Sequence, residues 1–186
     1  MLNHPKTTHF WRGKLPHWEV ADGKYFVTLR LHGSLPAHIA EELQTLAANT
    51  SEHSGGNYTR ITRKIFACME EWLHQPSAVD WLKIPEINQM VSDSIFFFHE
   101  RGFWRISEHV IMPNHVHLFF QVGSLSMTDA MKRFKQWTAR EGNRILNAKG
   151  ERFWQEEWFD HWSRSAIEDE RIRSYIRNNP TRAGCQ

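Results

Sequence analysis

A chain of 186 residues that is 40% hydrophobic, with nine tryptophans and twelve phenylalanines, carries too much ring mass for a disordered protein. Its formal net charge of +2 does not mark a nucleic-acid binder, so any such footprint has to come from local clusters of Arg and Lys. The two cysteines, Cys68 and Cys185, exclude a disulfide framework and a zinc knuckle, and no apolar run approaches the roughly 18 residues of a membrane span.

Residues 1–14 are polar and carry no signal-peptide segment, so a soluble, cytosolic protein with reduced thiols is expected. The length points to one domain over residues 1–186. It opens with an extended segment, 1–22, whose Trp11 and Trp18 pack against the core. Lys24-Tyr25-Phe26-Val27-Thr28-Leu29-Arg30-Leu31 is β-branched and aromatic and reads as a strand. Gly33-Ser34-Leu35-Pro36 closes it, and Pro36 leads into a helix over 37–48. Residues 49–57, with Gly55-Gly56, read as a loop. Ile61, Ile65, Met69, Trp72 and Leu73 then recur at helical spacing over 58–75.

Pro85 opens another helix, with Ile87, Met90, Val91, Ser94, Ile95 and Phe98 on its buried face. Residues 103–111 have strand character, and Pro113-Asn114 turns them into a second strand, which makes a hairpin. A strong helix follows over 128–146. Met131, Phe134 and either Trp137 or Thr138 face inward, and Lys132, Arg133, Lys135 and Arg140 occupy the other faces. Residues 159–163 read as a short strand or an extended piece. The last helix spans 166–178, with Ser165 and Glu168 as a capping box and Pro180 as its stop. This order predicts an α+β fold, an antiparallel sheet covered by helices on one side.

Two clusters carry chemistry. In Ile111-Met112-Pro113-Asn114-His115-Val116-His117-Leu118, strand alternation sends His115 and His117 to one face. The pair alone leaves two readings open, a shared metal ion or two half-exposed polar residues on an edge strand. Arg171, Tyr175 and Asn179 form an i, i+4, i+8 row on the last helix. A guanidinium clamps a phosphate, a phenol attacks it and an amide oxygen reaches a metal. The alternative is a Tyr175 that packs its ring and wets its hydroxyl. Tyr25 and Tyr58, in a strand and at a helix start, are explained by packing.

Met112-Pro113-Asn114-His115-Val116-His117-Leu118, followed by Tyr175-Ile176-Arg177-Asn178-Asn179-Pro180-Thr181-Arg182-Ala183-Gly184, resembles the HUH single-tyrosine transposases. Within them it is most similar to the branch of REP-associated tyrosine transposases. Tyr25 to Leu29, Met131 to Lys135 and Arg152-Phe153-Trp154-Gln155 resemble further stretches of that family, so the likeness runs from about Trp18 to Gly184. It implies a ferredoxin-like antiparallel sheet with helices packed on it. It also implies Mg²⁺ or Mn²⁺ held by His115, His117 and Asn179, with Tyr175 as nucleophile. The implied substrate is single-stranded DNA folded into imperfect palindromic hairpins of the REP type.

A tyrosine with an ordinary pKa near 10 needs help to attack at neutral pH, and a metal on the scissile phosphate supplies it as a Lewis acid. The product is a 5′-phosphotyrosine with a free 3′-hydroxyl, and rejoining needs no nucleotide cofactor. Histidine ligands suit Mn²⁺ better than Mg²⁺, so Mn²⁺ is expected to give the higher activity. Lys132, Arg133, Lys135 and Arg140 are candidates for tracking DNA phosphates, and Arg171, Arg177 and Arg182 flank the tyrosine. The expectation is a cytoplasmic, nucleoid-associated bacterial DNA transposase, monomeric or homodimeric, with no membrane partner. A non-catalytic hairpin-binding protein on the same fold is the alternative, and a structural zinc site on the two histidines is a third reading, weakened by the lack of a nearby Cys.

Overall fold

The N-terminal segment is a hairpin: β1 (Thr7–Arg12) pairs antiparallel with β2 (Pro16–Val20). The protein is described here from a computed structural model, which covers residues 7–48 and 55–182. Trp18 is buried and Trp11 stacks on His17, so the predicted packing of both rings holds.

β3 (Lys24–Arg30) leads into α1 (Ala37–Ala48) and α2 (Gly55–Leu73). The predicted loop over 49–57 is therefore corrected at its end, because Gly55 and Gly56 already belong to α2; residues 49–54 lie outside the described residues. Glycine is a poor helix former, but propensity is a weak prior when packing of a buried face, here Thr62, Ile65, Met69 and Leu73, carries the helix. A 3₁₀ turn over Trp81–Lys83 precedes α3 (Pro85–Glu100), which buries Ile87, Val91, Ser94, Ile95 and Phe98. β4 (Trp104–Ile111), β5 (His115–Val122), α4 (Met127–Ile145), β6 (Phe159–Trp162) and α5 (Ala166–Arg182) complete the chain.

The four main strands lie in the order β4-β5-β3-β6, each neighbouring pair antiparallel. The path β3-α3-β4-β5-α4-β6 inserts β5 between β3 and β4, which is the split βαβ arrangement of ferredoxin-like sheets. α3 and α4 cover one face through Val27, Leu29, Val116, Leu118 and Phe134. The opposite face is covered too, by α1, α2 and α5, which pack on Phe26, Phe119 and Phe159. The expectation of helices on one side is corrected by this. β5 is buried on both faces from His115 to Phe120, its histidines included, so both sides of the sheet have to be covered. No helix among the described residues is long and apolar enough to cross a membrane.

α5 differs from expectation at its end, because Pro180 lies inside the helix rather than stopping it. A proline disfavours helical backbone in the residue before it. That residue is Asn179, fully buried and held by side-chain hydrogen bonds, which fix it in register one turn past Tyr175.

Candidate metal and nucleophile site

β5 presents its histidines to the α2–α5 side, and both are fully buried. The turn ahead of them is clamped: Asn114 O accepts from Leu31 N (2.9 Å), and Pro113 O accepts from Leu82 N (3.1 Å). Asn114 Nδ2 donates to Leu73 O at the end of α2 (3.0 Å), which turns its Oδ1 toward His115 Nδ1 at 2.6 Å. An amide oxygen only accepts, so His115 carries its proton on Nδ1 and leaves Nε2 with a bare lone pair. The register places Thr28 opposite His117, and Thr28 Oγ1, 2.9 Å from His117 Nδ1, can accept that ring's proton in the same way. The two Nε2 atoms then face each other at 3.1 Å.

Sequence reasoning missed the next two members of the site. Glu70 and His74, i and i+4 at the end of α2, close over the histidines. Glu70 Oε1 lies 3.4 Å from His117 Nε2, and Oε2 lies 3.2 Å from His74 Nε2. One donor atom each from Glu70, His74 and His115 falls within 4.8 Å of the others, a set that could hold a metal ion. A signal existed in the sequence: Glu70 stands at a position that the Thr62, Ile65, Met69, Leu73 pattern buries. A carboxylate there, with only 7% of the residue exposed, calls for partners.

Burial acts to raise the Glu70 carboxyl, but His117 and His74 beside it outweigh that and hold the group well below the usual carboxylate range. Burial and then the neighbouring His117 hold His115 well below the usual imidazole value, so it is neutral at pH 7. A neutral lone pair, a second imidazole and an ionised carboxylate converge on one point. Acceptors this close repel unless a proton or a cation lies between them, and hydrogen bonds fixing the far nitrogens are the habit of metal-binding histidines. The residues present therefore fit a divalent ion.

α5 brings Tyr175 and Asn179 to the same cluster. The Tyr175 hydroxyl donates to Glu70 Oε2, and its ring stands 5.5 Å from that of His117. Asn179 Nδ2 donates to the Tyr175 oxygen (2.9 Å) and lies 3.3 Å from His74 Nε2, while its Oδ1 is buried without a hydrogen-bond partner among the described residues. The sequence row of Arg171, Tyr175 and Asn179 is thus preserved, with its amide donor end turned into the cluster.

The basic residues divide. Arg171 is exposed beside a cavity next to Tyr175. Arg177 is paired with Glu108 on β4 (2.7 Å) and with Glu170 (3.6 Å). Arg182 ends α5, and its side chain is outside the described residues. Lys132, Arg133, Lys135 and Arg140 sit on α4, across the sheet from the histidines. Lys135 donates to Gln155 O (2.8 Å) and Glu156 O, and burial lowers its pKa to about 8. It clamps a loop. Thr138, not Trp137, takes the inward position: it bonds Phe134 O and Trp154 Nε1, while Trp137 is 47% exposed against Arg140.

The model of the family "Transposase IS200 like" matches residues 82–179, just over half of the chain. The structure of a REP-associated tyrosine transposase bound to a REP hairpin is similar over 89% of this chain and 70% of that one, with a TM-score of 0.52 and 15% identity. A crystal structure from Deinococcus radiodurans assigned as a transposase covers 91% of this chain and 97% of its own, at 12% identity and a TM-score of 0.45. No curated protein matches. The first of these likenesses shows the ferredoxin-like α+β fold.

Proposed function

The chain belongs to the family of IS200-like transposases, and on that premise we propose that it cuts and rejoins single-stranded DNA beside a hairpin through Tyr175. His115 and His117 hold Mg²⁺ or Mn²⁺ with Glu70, and Asn179 orients the phenol. The observation that carries this reading is the Glu70 carboxylate, which touches the paired histidines on one side and the Tyr175 hydroxyl on the other. It joins a cation-binding point and a nucleophile within one buried cluster.

In the proposed reaction the Tyr175 oxygen bonds to the scissile phosphorus and the bond from phosphorus to the 3′-oxygen breaks. The leaving oxygen takes up a proton and becomes a 3′-hydroxyl, and a 5′-phosphotyrosine remains. Attack of a 3′-hydroxyl on that linkage reverses the step and restores the phenol. A bound divalent ion polarises the phosphate and offsets its charge. Asn179 Nδ2, donating to the phenol oxygen, favours the deprotonated nucleophile. Hairpin DNA as the substrate class is supported by the DNA in the solved REP-associated relative.

The test is incubation of the protein with single-stranded hairpin DNA and Mn²⁺, then a denaturing gel. A covalent adduct that disappears in Tyr175→Phe and His115→Ala is expected. Bound DNA with no adduct under any divalent metal would leave a hairpin-binding protein instead.

A further inference from the structure

The groove that holds the nucleophile continues past it. α2 and α5 face each other with matching rows: Arg63, Phe66 and Glu70 on one, Arg171, Tyr175 and Asn179 on the other. Glu70 meets Tyr175 and Asn179, and the Phe66 ring stands 5.4 Å from that of Tyr175. One turn further, away from the histidines, the groove widens into a cavity of about 460 Å³ that both Arg63 and Arg171 line. That volume lies in the range of small-molecule sites.

Three features of this cavity ask for a ligand. Its floor is aromatic: Phe26, Phe66 and Phe159 pack edge and face with centroids 5.3 to 6.4 Å apart, and Phe26 stacks on His117 at 5.2 Å. Two guanidinium groups, Arg63 and Arg171, are exposed at it and have no carboxylate or other partner among the described residues. Thr62 lines it as well, and its hydroxyl is buried without a hydrogen-bond partner among the described residues. The carboxylate in the wall, Glu168, is already engaged by His161 at 2.8 Å and by the Arg164 N–H. The net character is flat apolar surface beside unpaired positive charge.

We infer that this cavity takes the single nucleotide adjoining the phosphate that Tyr175 attacks, with its base against Phe66 and Phe159 and its own phosphate between Arg63 and Arg171. The inference rests on the proposed strand-transfer reading. The rise along a helix from residue 171 to residue 175 is about 6 Å, one step of a stretched single strand, so adjacent phosphates fall at the arginine pair and at the tyrosine. Stacking accepts any base, because every base has a π-face. The site therefore anchors the strand through Arg63 and Arg171 and holds its base without choosing among the four.

The experiment uses Tyr175→Phe protein, which cannot cut, and hairpin oligonucleotides carrying 2-aminopurine in the single-stranded flank, placed on either side of the scissile phosphate as mapped with wild type. Quenching at one of the two positions is expected. An abasic site at that position should weaken binding about tenfold. The exposed pair Arg63→Gln and Arg171→Gln should do the same. Equal affinity for intact and abasic flanks, with wild type still forming its adduct, overturns the nucleotide pocket and leaves the strand-transfer reading standing. Failure of every oligonucleotide to bind or form an adduct overturns both.

Discussion

Glu70→Gln isolates one charge. The amide keeps the size of the carboxylate and one of its oxygens, but it removes the single negative charge that faces His117 Nε2 at 3.4 Å and Tyr175 beyond it. A cation held by both histidines would lie about 4 Å or less from that charge. Two unit charges at this distance attract by about 4 kcal/mol at an effective dielectric of about 20, and a divalent ion doubles that to about 8 kcal/mol. The retained amide oxygen, together with the desolvation that a neutral amide avoids, offsets most of that, leaving a loss of about 3 kcal/mol, or somewhat over a hundredfold in Kd. Titration of Mn²⁺ into DNA-free protein, followed by calorimetry and by the electron paramagnetic resonance of free Mn²⁺, reads this directly. Wild type should bind one ion, His115→Ala none, and Glu70→Gln about a hundredfold more weakly. If Glu70→Gln binds Mn²⁺ as wild type does, the carboxylate is no part of the metal site, and the argument from converging acceptors fails.

Asn114→Ala removes the acceptor that fixes the His115 tautomer and the bond to Leu73 O; Mn²⁺ affinity should fall about 10- to 100-fold, and an unchanged titration would show that the tautomer is set elsewhere. His17 supplies a pH dependence. Burial alone would lower its pKa, but the charge and hydrogen bond of Asp160, with help from Glu157, push it up to about 9. A group raised in the folded state contributes stability below its unfolded pKa of about 6.5 and loses it as pH climbs through about 9, a swing of at most about 3 kcal/mol. Urea unfolding at pH 6 and pH 10 should show this decline in wild type and a flatter profile in His17→Gln; parallel profiles would refute it. Gly123→Ala places a Cβ 2.2 Å from the backbone oxygen of Gly102, which cannot move aside as a side chain could, so a loss of about 1–3 kcal/mol in unfolding free energy is expected.

The strands and helices were legible because their signals are local. Alternation put His115 and His117 on one face, and helical spacing put Arg171, Tyr175 and Asn179 in a row; both follow from periods of 2 and 3.6 that any short segment expresses by itself. Capping was nearly as readable: Ser165 Oγ accepts from Glu168 N, although the Glu168 carboxylate reaches Arg164 N–H rather than that of Ser165. Pro180 was misread because a local preference yielded to the buried bonds of Asn179, which no short window of sequence contains.

The sequence by itself determined the elements, the faces on which the histidines and the tyrosine stand, and the two-ended character of the site. Only the tertiary structure decided which elements meet. Glu70 and His74 reach the histidines because the end of α2 is tied to the turn before β5 by Asn114, 41 residues away in the chain, and they reach Asn179 across a separation of 105 for His74. The same packing sent the cations of α4 to the other side of the sheet. A periodic pattern fixes which face of an element is buried but says nothing of its partner, because that choice depends on how the whole chain returns to cover the two apolar faces of one sheet.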